Sequence, residues 1–350
     1  MMGHEHVQNI QLLSDGNVSV IFEPDTSMAV SAARLAPNAV MVDSLDAFLN
    51  QKDMDAIVIT SPNYLHVDQL EEITKRVTLP ILCEKPLYTN PDDLDRIQKI
   101  RDSYKAPIWV AMEYRYMPPI ARFIEQVDDA TGGVKLLTIL EHRFPFLPKV
   151  GNWNRFNNQS GGTFVEKCCH FFDLMRHILG SDPVRIMASA GQEVNHLEEV
   201  YDGRRSDIWD CGYVICDFEN GARGMLELSM FAEGEQYQEK VHAIGPRGKI
   251  EALVPGPGRF WPNHLGPAPV PKLISSPRSP KWPIATEVPV DEALLAAGDH
   301  NGSTFFQHRK FRDVVLGKQK VEVTLDDGAW AVRMGLAAQR SVREDSIIKL

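Results

Sequence analysis

From Val18 onward the chain alternates short apolar runs with stretches in which apolar residues recur every three or four positions. VSVIF (18–22), DAIVI (55–59), PILC (80–83) and PIWVAM (107–112) have the length and composition of buried strands. Each is followed by an amphipathic stretch of helical period: MAVSAARLA, VDQLEEITKRV, PDDLDRIQKIRDSY and PPIARFIEQVDD. Strand then helix, repeated, predicts an α/β doubly wound parallel sheet of Rossmann type, with right-handed crossovers and helices on both faces.

After Gly132 and Gly133 the period changes. VKLLTILEHRF, PVRIMASAG, DIWDCGYVICDF, GARGMLELSMF and YQEKVHAIG are longer strand candidates, several joined by turn sequences such as ENGA and GPRGK. This predicts an α+β domain on an open, mainly antiparallel sheet, with helices over 163–179 and in FFQHRKFRDVVLG. The expected division is 1–115 and 116–350. The proline-rich stretch 255–289 reads as a long surface excursion with no element assigned. DDGAWAVRMGLAAQRSVRE reads as a helix capped by Asp326 or Asp327.

Composition narrows the classes. A length of 350 residues suits two domains, and 43% apolar with 24% charged residues is ordinary for a globular chain. The formal charge of −10 repels phosphate backbones and no basic block offsets it, so nucleic acid is not an expected partner. No apolar run is long enough to span a bilayer, and MMGHEHVQNI is not an apolar leader, so a cytoplasmic location without membrane contact is expected. Five cysteines, two of them adjacent, give no disulfide framework.

An open α/β sheet binds ligands beyond the carboxyl ends of its strands. Gly3 precedes a helix-like stretch, and about 20 residues later Glu23 ends the strand VSVIF, where a carboxylate accepts hydrogen bonds from a ribose diol. That favours NAD and makes NADP less expected, because a 2′-phosphate would meet like charge. The loops SPNYLH (61–66) and CEKP (83–86) also end strands, and Pro86 restricts Lys85 to extended backbone that can aim its ammonium into the crevice. In SGGTFVEKCCHFFD (160–173), a helix would put Glu166, His170 and Asp173 at i, i+4 and i+7, on one face. An imidazole beside a carboxylate is suited to moving a proton at neutral pH while a hydride leaves to nicotinamide. Adjacent Cys168 and Cys169 point about 100° apart on a helix and are read as small buried residues rather than metal ligands.

These segments together resemble the Gfo/Idh/MocA family, the glucose–fructose oxidoreductase and inositol dehydrogenase group, over nearly the whole chain. MMGHEHVQNI resembles the end of that family's glycine fingerprint, with Met2 and Gly3 against the cofactor. SPNYLH resembles its Thr-Pro-Asn-x-x-His segment, which implies cofactor contacts by Ser61, Pro62, Asn63 and His66. CEKP resembles its Glu-Lys-Pro motif, giving Glu84 and Lys85 on the cofactor side and Lys85 as the active-site lysine. MEYRYMPP resembles the segment after the last Rossmann strand, with Glu113 beside the cofactor and Arg115 toward substrate, although Glu113 and Tyr114 replace the commoner asparagine and arginine. GGTFVEKCCHFFD resembles the Gly-Gly-x-x-x-Asp-x-Gly-x-His-x-x-Asp helix. His170 is then the acid/base, Glu166 its orienting partner and Asp173 a substrate carboxylate, with Glu166 and Cys168 standing where aspartate and glycine are usual.

The resemblance implies an NAD(P)-dependent oxidoreductase acting on a small polyhydroxylated, sugar- or cyclitol-like substrate, assembled as a homodimer or homotetramer through the C-terminal sheet. The family's first strand and first two fingerprint glycines would lie upstream of Met1, so the natural protein is expected to begin upstream. The alternative is a non-catalytic relative that senses a ligand or regulates a partner. Retention of both Lys85 and His170 favours the enzyme.

Overall fold

The computed structural model describes residues 2–350. Its first part runs α1 (Met2–Gln11), β1 (Val20–Phe22), α2 (Thr26–Leu35), β2 (Val40–Val42), α3 (Leu45–Leu49), β3 (Ile57–Ile59), α4 (His66–Arg76), β4 (Ile81–Cys83), α5 (Leu94–Ser103), β5 (Ile108–Val110) and α6 (Pro118–Thr131). The expected strands and helices are there, with every pairing parallel. β2 escaped the sequence pattern because Val40 and Met41 are exposed and form no buried run.

This parallel sheet comes in two pieces. β1 pairs with β2, and β3, β4 and β5 pair in that order, but β1 and β3 share no ladder. The second piece is the drier one, with β4 and β5 buried throughout. Leu70, Ile73, Ile97 and Ile100, recurring at helical spacing on α4 and α5, pack in the same core.

The second part runs β6 (Leu136–His142), α7 (Asn157–Ser160), α8 (Thr163–Glu166), α9 (Cys169–Leu179), β7 (Pro183–Gly191), β8 (Val200–Tyr201), β9 (Arg204–Arg205), β10 (Cys211–Phe218), β11 (Arg223–Ser229), β12 (Glu239–Gly245), β13 (Gly248–Val254), β14 (Lys272–Pro277), β15 (Ile284–Glu287), α10 (Glu292–Ala296), α11 (Ser303–Val315), α12 (Leu325–Glu344) and β16 (Ile348–Lys349). Nine of its strands form one sheet in the order β15-β14-β13-β12-β6-β11-β10-β7-β16. Only β6 and β11 are parallel; the other pairs are antiparallel. Alternation sends Leu137 and Ile139 of β6 and Val214 and Cys216 of β10 into a core shared with Phe171, Leu174 and Met175 of α9. Part of the stretch 255–289, which the sequence left unassigned, supplies the outer strands β14 and β15.

Three sequence expectations change in detail. The segment 163–179 is not one helix: α8 ends at Glu166 and α9 begins at Cys169. At the junction the Cys168 amide reaches back to the Thr163 carbonyl at 3.4 Å, and the next turn closes tightly from Phe171 to Cys168 at 2.9 Å. The i, i+4 relation of Glu166 and His170 is lost there. The last helix is capped by Thr324, whose hydroxyl accepts the Asp327 amide while the Asp327 carboxylate accepts the Thr324 amide, a capping box. The range 116–350 also does not pack as one unit. Phe311, Val314, Val323, Leu325, Ala329 and Val332 join the core of the first part. The Val110 amide donates to the Val323 carbonyl at 3.1 Å. A side chain at Gly328 would come within 2.9 Å of Val110, so α12 lies close against β5 because that position is glycine.

Candidate functional site

The carboxyl ends of β3, β4 and β5, the N-terminus of α1, the α8–α9 junction and residues 298–308 converge on one buried polar region. His66, at the start of α4, bridges two of its loops: one ring nitrogen lies 2.8 Å from the Pro86 carbonyl and the other 3.0 Å from that of Ser61. Ser61 donates to Gln69 at 2.7 Å. Pro62 leads into the turn that carries Asn63, whose amide donates to the Ser160 carbonyl at 3.1 Å and to the Glu166 carboxylate. Lys85 Nζ donates to the Glu166 carbonyl at 3.1 Å. Residues 61–66, 85–86 and 160–166 are thus one constellation.

The Glu166 carboxylate does not face His170. It meets Lys149 Nζ at 3.1 Å and the Asn63 amide, because the break after α8 turns it toward the 143–150 loop. Burial works against its charge, but Lys149 and Lys85 outweigh that and hold its pKa down at about 2. His170 is buried with its ring stacked on Tyr114, centroids 4.0 Å apart and planes 6° from parallel. Among the described residues its Nδ1 has no hydrogen-bond partner. Burial, with Lys85 and Lys167 nearby, pushes its pKa well below the ordinary range, which favours the neutral imidazole and opposes its protonation.

Arg115 and Asp173 are brought together, but onto each other. The guanidinium engages the carboxylate at 2.6 and 2.5 Å through two donors and sends a third to the Glu322 carbonyl at 3.2 Å. Both are buried, and the outer edge of Arg115 lines a surface depression with Arg176, His177 and Asp327. Glu113 is buried beside Thr304, which donates to it at 3.0 Å, and burial raises its pKa. Glu84 is held by His6 at 2.8 Å. Glu23 follows β1 half-buried, one oxygen accepting the Asp25 amide at 2.9 Å. Met2 and Gly3 form the first turn of α1, where a Cβ on Gly3 would stand 3.0 Å from the Thr60 hydroxyl. The helix start therefore seats closely against the end of β3, as a Rossmann nucleotide site requires of its glycine.

Several groups here were not legible as site residues. Lys167 Nζ lies 2.5 Å from the Tyr114 hydroxyl and 2.8 Å from Glu141, which faces Glu239 across the β6–β12 pair. His300 bridges Glu5 at 2.8 Å and Glu113 at 3.8 Å. Burial opposes charge on His300, yet Glu5 and Glu113 hold its pKa up at about 9. The one local signal was an unusual density of charge in strands and helices that otherwise read as core, as at Glu141 and Lys167.

Residues 1–112 match the model of an oxidoreductase family's NAD-binding Rossmann fold, and residues 125–350 match the same family's C-terminal alpha/beta domain. The chain belongs to the GFO/IDH/MocA oxidoreductase family. Inositol 2-dehydrogenase of Rhizobium meliloti is 26% identical over 252 residues, 72% of each chain. Myo-inositol 2-dehydrogenase of Thermotoga maritima is 24% identical over 375 aligned positions, covering 100% of this chain and 96% of that one. Among solved structures, levoglucosan dehydrogenase in complex with NADH and levoglucosan superposes with a TM-score of 0.79 at 17% identity, covering 100% and 97% of the two chains, a likeness of fold. The molecule is an NAD(P)-dependent oxidoreductase, and among the described residues no helix is long and apolar enough to cross a membrane.

Proposed function

We propose that the chain oxidises a hydroxyl of a sugar- or cyclitol-like substrate, or reduces the matching ketone, with His170 as acid/base and Lys85 beside it. The observation that carries this is the buried His170, with Lys85 nearby and an Nδ1 that has no hydrogen-bond partner among the described residues. NAD, when bound, takes the hydride; Glu23, Gly3 and the loops of Ser61, Pro62, Asn63, His66 and Glu84 would hold it. Glu166 keeps its charge next to Lys149 and fixes Lys85 through its carbonyl, while the Arg115–Asp173 pair positions the segment after β5 against α9. Glu113 borders the cofactor side.

His170→Ala should lower turnover roughly 10²–10⁴-fold while cofactor affinity changes little. A loss below tenfold moves the base to Lys85. NADH should bind more tightly than NADPH in a fluorescence titration, because Glu23 repels a 2′-phosphate; the reverse order would refute that assignment. Cofactor binding with no turnover on any polyol would instead favour the sensor reading. The open face of the C-terminal sheet, with exposed Tyr213 and Ile215 on β10 and Leu136 on β6, suits a homodimer or homotetramer. A monomer in light scattering at micromolar concentration would rule the assembly out. Five free thiols suit a cytoplasmic enzyme.

A further inference from the structure

Tyr114, Lys167 and Glu141 come from the segment after β5, the α8–α9 junction and β6, and they meet beside His170. The Tyr114 ring lies flat on the His170 imidazole, centroids 4.0 Å apart and planes 6° from parallel. Its hydroxyl lies 2.5 Å from Lys167 Nζ, and the same nitrogen lies 2.8 Å from Glu141 Oε1. All four side chains are almost wholly buried. We propose that Tyr114 is the positioning residue that fixes the plane of the His170 imidazole, and that Lys167 and Glu141 pin Tyr114 in place. The inference rests on His170 being the acid/base of the proposed reaction.

An acid/base imidazole has to present one ring nitrogen at a fixed angle, and a carboxylate or carbonyl on the other nitrogen commonly holds it there. That holder is missing for His170. Among the described residues its Nδ1 has no partner, and the Glu166 carboxylate is turned to Lys149 and Asn63. The Tyr114 face lies against the ring instead. Stacking sets the plane but not the position within it, because aromatic pairs tolerate sliding offsets. A directional hydrogen bond at the phenol oxygen removes that freedom. A carboxylate only accepts, so Lys167 donates to Glu141. Its bond to Tyr114 holds whichever of the two supplies the hydrogen, so the clamp does not depend on the charge of Lys167. Glu141 is anchored in the sheet, in register with Glu239 of β12. Phe171 meets the Tyr114 ring edge-on, centroids 5.7 Å apart, and Lys167 Nζ lies 4.8 Å from the Tyr114 centroid. Filling space would not call for a buried lysine and glutamate here, since apolar residues of similar volume stabilise a core at least as well as a buried ion pair.

The ring signals of His170 report the clamp without any substrate. The full chain is prepared with isotope-labelled histidine and read by NMR, His170 being assigned by the signal lost in His170→Ala. A stacked aromatic ring shields the protons it covers, so the His170 signals should lie upfield of their position in the denatured chain. Tyr114→Phe keeps the plate and the Lys167–Glu141 pair but loses the tether, and should move the signals part of the way back. Lys167→Met should move them equally, and the double variant no further than either alone. Unshielded signals in the wild type, or signals unmoved in Tyr114→Phe, would overturn the proposal. Lys167→Met strands the Glu141 carboxylate, and if it does not fold, Tyr114→Phe decides alone. On a polyol that the wild type oxidises with NAD, Tyr114→Phe should lower kcat roughly 10–100-fold with little change in KM. Displaced signals with unchanged kcat would overturn the positioning role if His170→Ala abolishes turnover, and the acid/base reading of His170 if it does not.

Discussion

The two sheets reach order by different means. In the first part the strands are three residues long, and β1–β2 is a separate piece from β3–β4–β5. In the second part seven strands of six to nine residues run together, with ladders on both sides of most of them. A long ladder satisfies its own backbone and can carry mixed outward faces. Short strands cannot, and their core is completed by helices that arrive from the far end of the sequence: Phe311 and Val314 on α11, Leu325 and Val332 on α12. The first part thus depends on distant side chains where the second depends on neighbouring backbone.

The sharpest way to break this contrast is Phe311→Ala. Phe311 is buried against Trp109, ring centroids 6.4 Å apart, and its truncation should cost about 3–5 kcal/mol. Hydrogen exchange should accelerate at β3, β4 and β5, with β10 and β11 much less affected. Equal loss of protection in both sheets would mean one cooperative unit and remove the distinction.

A pH series tests the ionic part of the same dependence. Glu166 and Glu5 are held near pKa 2 against an ordinary 4.5, so their stabilisation is complete above about pH 4.5 and lost as pH falls toward 2. His300 is raised from 6.5 to about 9, so its share is complete below pH 6.5 and lost as pH rises through 9. The junction between the two parts should be tightest between those limits. Chemical denaturation of His300→Gln should lose the alkaline decline and the Glu5 share of the acid one, leaving that of Glu166, and an unaltered alkaline limb would show that His300 is not its source.

The smallest expected effect is at the start of α12. Thr324→Ala removes the capping box and should cost about 1 kcal/mol, read as a lower denaturation midpoint. A loss above about 2 kcal/mol, the top of the usual range for a cap, would show that this turn also anchors Val323 beside β5.

Much of this molecule was legible locally. The βα alternation, the switch to longer strands after Gly133, and the loops 61–66 and 83–86 are signals carried by adjacent residues. So was the concentration of charged and polar residues in 160–173, which the structure buries. What escaped is non-local or irregular. Nothing near Glu166 announces Lys149, and His6 and His308, which meet at 2.7 Å, are separated by nearly the whole chain. The break at Lys167 and Cys168 lies inside a stretch with unbroken helical period, so periodicity aligned Glu166 with His170 where the backbone turns them apart. Arg115 and Asp173 were both picked out for chemistry, but only their spatial pairing reveals that each occupies the other.

The packing of residues 303–332 into the first core has a consequence for birth on the ribosome. A chain synthesised from its N-terminus presents β3, β4 and β5 long before the segment that covers them exists. For some 200 residues of elongation, the face meant for Phe311, Leu325 and Val332 has no cover of its own. The nine-stranded sheet faces a shorter wait, because most of its partners are consecutive or nearly so. The ladders among β10–β15 can therefore pair early, while both cores wait for α12, which covers the first through Leu325 and Val332 and the second through Met334, Ala337 and Ala338.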